Sequence, residues 1–234
     1  MSNDMDNPWL AWAQTQEAAI AEAASAGGTL NTGNEYRNIW VYVETEGALV
    51  SPETRKLMGK ARELGDLLGA RVQAVVLSGG EALGKDLVGY GADTVMVAEH
   101  PCLEGFQLEA YAKALGQLVS QYKPEMFLFP ASRATEDLAP RLAARLGTGF
   151  LADATDLELD DAERLLRVTR QTFGEKVLTV SVIAERKPQV VTVRAGVFRE
   201  ADFDRFRGGE IAKVAVDLSP EDRLTRVLGV LAPA

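Results

Sequence analysis

Short apolar runs alternate with amphipathic helical segments between residues 38 and 146, and this rhythm constrains the fold more than any other feature. The runs are residues 38–43, 72–77, 94–97 and 126–129. They are almost entirely apolar, without regular polar alternation, which is typical of strands buried on both faces. Strands that alternate with helices indicate a parallel sheet covered by helices on both sides. We therefore predict an α/β fold with a Rossmann-like, mostly parallel sheet flanked by helices.

The pattern changes after about residue 150, where helical spacing disappears. Strand-like runs follow at residues 154–159, 165–170, 177–183 and 189–194. Hairpins at residues 160–161 and 174–175 would add them to the sheet as antiparallel strands. A last strand is predicted at residues 210–216 and a last helix at residues 220–228.

Three segments are predicted along the chain. They are an N-terminal helical extension and linker (1–36), the α/β domain (37–217), and a C-terminal helix or linker stub (218–234). The extension has helical apolar spacing at residues 8–24 and carries Trp9 and Trp12. These two large side chains would either pack on their own domain or dock onto a partner chain.

Charge and composition disfavour several classes of function. The net charge of −9 argues against nucleic acid and anionic membrane surfaces, and no apolar run is long enough for membrane insertion. Cys102 and His100 are the only residues of their types, so no disulfide and no Cys/His zinc site can form within the chain. The first 36 residues contain neither lysine nor arginine and fit no targeting signal, so a cytoplasmic location is expected.

The best-placed candidate site is the loop that follows the fourth apolar run, because ligands bind where a parallel strand leads into a helix. Proline is tolerated in the first turn of a straight helix but not in its interior. Pro140 therefore predicts that the next helix is capped by Glu136 or Asp137.

This start would leave Ser132, Arg133 and Thr135 in the loop, where they could hold the phosphate of an adenine nucleotide. The two acidic residues of the predicted cap would oppose an anion there, and they complement the helix dipole instead. We favour the structural interpretation of this loop over the nucleotide site. Arg194 ends a later strand, where it would either pair with an acid of the sheet or face a partner interface.

Four stretches resemble the α subunit of electron transfer flavoproteins. They are FPASRATEDLAPRLAARLGTG at 129–149, LADATDL at 151–157, TFGEK at 172–176 and VTVRAGVF at 191–198. The resemblance runs from about residue 38 to about residue 216 and is most specific between residues 126 and 198.

The resemblance implies a heterodimer in which this chain pairs with a β subunit that shares its N-terminal fold. It implies FAD in a second domain of the α subunit, and AMP or a second flavin in the β subunit, in a loop that corresponds to residues 131–137 here. Electrons would pass from a flavin-linked dehydrogenase to the flavin, and onward to a quinone oxidoreductase or another acceptor.

The sequence departs from this pattern at its end, because residues 228–234 (LGVLAPA) stand close to where the flavin domain of the family would begin. The glycine-rich flavin motif is not in the sequence, so no residue is carried over as an FAD ligand. FAD is not expected to bind this chain alone, and AMP is expected on the partner subunit. The chain would be a fragment, one half of a split α subunit, or a paralogue without the flavin domain.

The sequence is therefore compatible with two functions. The first is an electron transfer flavoprotein α-subunit-like component that acts mainly as a structural and docking module and is not itself catalytic. The alternative is a stand-alone adenine-nucleotide-binding protein or enzyme that uses the loop at residues 131–137.

Overall fold

A computed structural model describes residues 35–160 and 162–225. The helix predicted at residues 8–24, with Trp9 and Trp12, lies outside the described residues. Within them, no helix is long and apolar enough to cross a membrane.

Seven strands form one sheet in which every neighbouring pair is parallel, in the order β12-β5-β4-β1-β6-β11-β7. The strands are β1 (Ile39–Tyr42), β4 (Val72–Leu77), β5 (Thr94–Ala98), β6 (Met126–Pro130), β7 (Phe150–Ala154), β11 (Gln189–Val193) and β12 (Glu210–Lys213). The α-helices of the described residues are α1 (Pro52–Leu68), α2 (Gly84–Gly89), α3 (Leu108–Tyr122) and α4 (Arg133–Leu146). Helices α1 and α2 pack on one face of the sheet, and α3 and α4 pack on the other. The predicted α/β fold is confirmed.

The remaining strands are antiparallel. β8 (Asp156–Asp160), β9 (Leu165–Thr172) and β10 (Val177–Ser181) form a separate three-stranded sheet, and β2 (Thr45–Glu46) pairs with β3 (Leu49–Val50). Both predicted hairpins are present, but they build this separate sheet and do not extend the main one. Its inner side chains Leu157, Leu166 and Val168 join the core of the parallel sheet.

The run at residues 189–194 was expected to be antiparallel, and this expectation is wrong. β11 is inserted between β6 and β7 and is parallel to both. All five of its residues are buried, whereas β10 is largely exposed. Continuous burial is the mark of a strand covered on both faces, and it sets β11 apart from the hairpin strands that precede it.

The C-terminal predictions hold in part. β12 is the last strand and pairs with β5 at one edge of the sheet. The helix predicted from residue 220 is only a 3₁₀ turn, Pro220–Asp222, and residues 223–225 are not helical. The Asp222 carboxylate accepts the Ser219 N–H at 2.7 Å and a hydrogen bond from Lys113 at 2.7 Å, which fixes this turn on α3. Residues 226–228 lie outside the described residues.

Candidate functional site at the carboxyl edge of the sheet

The direction of chain progression reverses between β1 and β6. From β1 the chain moves outward to β4 and β5 on one side, and it then returns to place β6 on the other side of β1. In open parallel sheets, ligands bind at the carboxyl ends of the strands where the order reverses. The ends of β1 and β6 therefore define the place where a ligand site of this fold is expected.

Two helices begin at this reversal with the same Ser-x-x-Thr sequence. The Ser51 hydroxyl caps α1 by accepting the Thr54 N–H at 3.2 Å, and the Ser132 hydroxyl caps α4 by accepting the Thr135 N–H at 3.2 Å. In α4 the Thr135 hydroxyl accepts the Ser132 N–H in return, which completes a capping box. Each serine satisfies a backbone donor that the first helical turn leaves without an intrahelical partner.

The predicted cap at Glu136 or Asp137 is therefore wrong, and α4 continues through Pro140. The capping box outweighs the proline as a signal for the helix start. Proline removes one N–H donor, which leaves the Glu136 carbonyl without its usual intrahelical partner. Glu136 and Asp137 are exposed, so water can reach this part of the helix.

Glu44, which follows β1, connects the two helix starts. Its backbone N–H donates to the Thr54 hydroxyl at 3.0 Å, and its carboxylate accepts a hydrogen bond from the Ser132 hydroxyl at 2.5 Å. Burial raises the pKa of the Glu44 carboxyl above its ordinary value; the Ser132 hydrogen bond offsets part of this effect, and the nearby Glu46 adds to it. Sequence analysis missed Glu44, although an acid directly after a buried strand at this edge is a signal that could have found it.

A cleft of about 550 Å³ opens beside Glu44. Its lining includes Glu46, the Ser78–Gly79 turn, Phe106 and Ala134. Ser78 and Gly79 have φ angles of 77° and 68°, so the chain makes a tight left-handed turn after β4.

The predicted site residues separate into two places. Ser132 and Thr135 are engaged in the cap, while Arg133 is exposed and forms no ion pair within the described residues. Arg194 lies at the end of β11, where its guanidinium binds the Asp153 carboxylate through Nη2–Oδ2 at 2.6 Å and the Gln171 side chain at 2.6 Å. The proposed interface role of Arg194 stays a prediction, as does that of Trp9 and Trp12 outside the described residues.

Comparison with known proteins establishes the family to which this chain belongs. The sequence profile of the electron transfer flavoprotein domain matches residues 39–219. The chain is 38% identical to the electron transfer flavoprotein subunit alpha of Thermoanaerobacterium thermosaccharolyticum, over 86% of this chain and 61% of that protein. This chain belongs to the electron transfer flavoprotein α-subunit family.

Two further relatives indicate the range of the family. Protein FixB of Azorhizobium caulinodans is 34% identical over 92% of this chain and 61% of its own length. The acryloyl-CoA reductase electron transfer subunit beta of Anaerotignum propionicum is 34% identical over 85% of this chain and 61% of its own length. The chain thus spans about three fifths of the length of these relatives.

The family is associated with flavin, and the carboxyl-edge cleft of this electron transfer flavoprotein chain is where the fold would place a nucleotide phosphate. The Ser132 and Thr135 hydroxyls bond to Glu44 and to the cap. A phosphate at the start of α4 would meet the Glu44 carboxylate, and like charges repel at such distances. The residues at the reversal point therefore do not fit the phosphate of AMP or the pyrophosphate of FAD.

Proposed function

We propose that this chain is an electron transfer flavoprotein α-type component whose own role is structural: it docks against a β-type subunit and helps to form the assembly that carries the flavin. The proposal rests mainly on an exposed apolar arm, which we define as strands β9 and β10 with the turn at residues 173–176. Family membership supports the class of partner, and the arm supports the mode of docking.

The arm presents apolar side chains to solvent. Phe173 at its tip is 82% exposed and Leu178 in β10 is 66% exposed, and Val177 and Val180 are exposed as well. Phe173 adopts a left-handed backbone conformation with φ of 53°, which costs energy for a bulky residue. The turn thus holds a large aromatic ring away from the core, where a partner can bury it.

The arm also offers an unpaired strand edge. β10 bonds to β9 alone among the described strands, so the N–H and C=O groups on its outer side have no ladder partner there. An exposed apolar edge strand promotes aggregation unless it is covered. Obligate interfaces bury about 2,000 Å² or more in total, so a β-type subunit that covers the arm would extend onto neighbouring surface.

Arg194 fastens the arm to the parallel sheet. It bonds to Asp153, which lies in the parallel sheet, and to Gln171, which lies in β9. Its guanidinium is also 3.8 Å from the carboxylate of Glu175 in the turn. A docking element that is held in place before association loses less conformational entropy on binding. This arrangement supports a positioning role for Arg194 in partner binding.

The proposed cofactors, electron donor and electron acceptor are based on membership of the family. We propose that FAD is held by the assembly and not by this chain alone, and that AMP belongs to the β-type subunit. The electron donor would be a flavin-linked dehydrogenase, and the acceptor a quinone oxidoreductase or another carrier. The name of the relative from Anaerotignum propionicum, an electron transfer subunit of a reductase, supports a role within a larger redox complex.

Co-purification with a β-type subunit from the same organism tests the proposal. The tagged 234-residue chain should retain the β-type subunit through gel filtration as a stoichiometric complex. Leu178→Glu should weaken the complex by at least about tenfold, because it places a charge in the buried part of the interface.

Leu49→Glu is the matched control, because Leu49 is 65% exposed and lies in β3 at the carboxyl edge, outside the arm. It should leave the complex intact. A well-behaved monomer that does not bind the β-type subunit, or equal binding by both variants, would overturn the proposal.

A further inference from the structure

A second cleft opens at the amino edge of the parallel sheet, opposite the Glu44 cleft. It has a volume of about 440 Å³, within the size range of small-molecule sites. Residues 36–38 enter β1 on one side of it, and residues 68–71 connect α1 to β4 on the other. Glu125, Arg164 and Lys187 complete the lining, and we call these three residues the back wall.

Cations dominate this cleft. Arg37, Arg71, Arg164 and Lys187 line it, and Glu125 is its one acid. The concentration of positive charge contrasts with the net charge of −9 of the whole chain. Such a local excess attracts anions, and the low-dielectric walls of a cleft strengthen that attraction.

The carboxylate of Glu125 is already paired with the two cations of the back wall. Glu125 is completely buried, and it accepts hydrogen bonds from Arg164 Nε at 3.0 Å and Arg164 Nη2 at 2.6 Å, and another from Lys187. Burial raises the pKa of Glu125, but the bonds from Arg164 and Lys187 outweigh it and hold the pKa below the ordinary value. Glu125 therefore stays ionised and turns the two cations into a fixed, positively charged back wall.

The two front arginines are exposed and form no ion pair within the described residues, although their backbones are anchored. The Arg37 N–H donates to the Lys123 carbonyl at 2.9 Å, and the Arg71 carbonyl accepts the Ile39 N–H at 2.9 Å. Glu35, the acid nearest to Arg37 in the sequence, is paired with Lys123 and not with Arg37. The guanidinium groups thus stand at the cleft with their donors available.

We propose that this amino-edge cleft binds a small phosphorylated anion, with Arg37 and Arg71 as the direct ligands and Arg164 and Lys187 as the supporting wall. A guanidinium presents parallel N–H donors that match the oxygens of a phosphate. The volume exceeds that of a single phosphate group, so an organic phosphate or a diphosphate fits better. This site is independent of docking through the arm.

Calorimetric titration of pyrophosphate into the full chain, in a phosphate-free buffer, tests the site. The wild type should bind one pyrophosphate per chain, and Arg37→Ala and Arg71→Ala should each weaken binding by about tenfold. Arg71→Lys should lose less than Arg71→Ala, since it keeps the charge but not the paired donors. Succinate should bind much more weakly than pyrophosphate.

Arg133→Ala is the matched control, because Arg133 is also an exposed arginine without an ion pair in the described part of the chain, but it lies at the opposite edge. It should leave pyrophosphate binding unchanged. The proposal fails if pyrophosphate does not bind, if the double variant Arg37→Ala/Arg71→Ala binds as the wild type does, if succinate binds equally well, or if Arg133→Ala alone abolishes binding.

Discussion

The two ends of the parallel sheet each shield one glutamate, but the two carboxyl groups are in opposite electrostatic situations. At the carboxyl edge, Glu44 accepts a bond from the neutral Ser132 hydroxyl, and its pKa is raised by burial. At the amino edge, Glu125 is more deeply buried, yet Arg164 and Lys187 lower its pKa.

The comparison shows that the partners of a carboxyl group decide its charge more than its depth does. It also reverses the usual arrangement of this fold, in which anions bind at the carboxyl edge. Here Glu44 lies at the carboxyl edge beside the two helix starts, whereas Arg37 and Arg71, which form no ion pair within the described residues, line a cleft at the amino edge.

Replacement of Glu125 should be the most damaging of these changes. Glu125→Gln leaves Arg164 and Lys187 facing each other without an anion. Loss of one partner from a fully buried ion pair costs about 3–5 kcal/mol, and because the Arg164 side chain is 42% exposed, we expect a smaller loss of about 2–3 kcal/mol. Urea unfolding at neutral pH would measure the loss of unfolding free energy. Glu44→Gln is the control and should change stability by less than about 1 kcal/mol, since its partner is uncharged. Equal losses of unfolding free energy in the two variants would contradict the proposed electrostatic difference between the two edges.

Ser132→Ala should have an intermediate effect. It removes a helix cap, worth about 1 kcal/mol, and also the hydrogen bond to Glu44, worth about another 1 kcal/mol. Ser51→Ala removes a cap of the same geometry but no bond to the Glu44 side chain. The difference between the two variants in urea unfolding therefore reports the Glu44 contact. If Ser51→Ala costs as much as Ser132→Ala, that contact contributes nothing to stability.

The pH dependence of stability should show a smaller effect of opposite sign at the two edges. The folded-state pKa of Glu44 lies above its ordinary value of 4.5, so its contribution is complete below that pH and is lost as the pH rises through the folded-state pKa. The folded-state pKa of Glu125 lies below 4.5, so its contribution is present above that pH and is lost as the pH falls through the folded-state pKa.

Glu44→Gln should accordingly gain stability relative to the wild type between pH 4 and pH 7, by less than about 1 kcal/mol because the carboxyl is only half-buried. Thermal unfolding across this pH range would measure the gain. If instead the stability of the wild type rises relative to that of the variant as the pH increases, the folded protein stabilises Glu44 as a carboxylate.

The sequence predicted those parts of the fold that depend on local periodicity. Continuous apolar runs identified β1, β4, β5 and β6, and the turns of the two hairpins were found because polar residues interrupt strand-like runs. The direction of β11 was missed, because its place between β6 and β7 depends on contacts with residues distant in sequence.

The site was harder to predict, for a related reason. The start of α4 was misplaced because the rule for Pro140 was given more weight than the Ser-x-x-Thr signal at residues 132–135. Glu44 and Ser132 are separated by 88 positions, so no local pattern could indicate their contact. The amino-edge cleft likewise joins residues from five separate segments of the chain.

The poor fit of the carboxyl edge for a nucleotide phosphate separates the structural role of this chain from the alternative of a nucleotide-binding protein, and titration of AMP tests it most directly. The titration is best made in the Arg37→Ala/Arg71→Ala background, so that the amino-edge cleft cannot contribute, with and without Arg133→Ala. We expect no saturable binding in either protein, and a change in unfolding free energy within about 0.5 kcal/mol for Arg133→Ala, as for other surface changes. Micromolar AMP binding that Arg133→Ala weakens by about tenfold or more would contradict this account and would identify residues 131–137 as a nucleotide site.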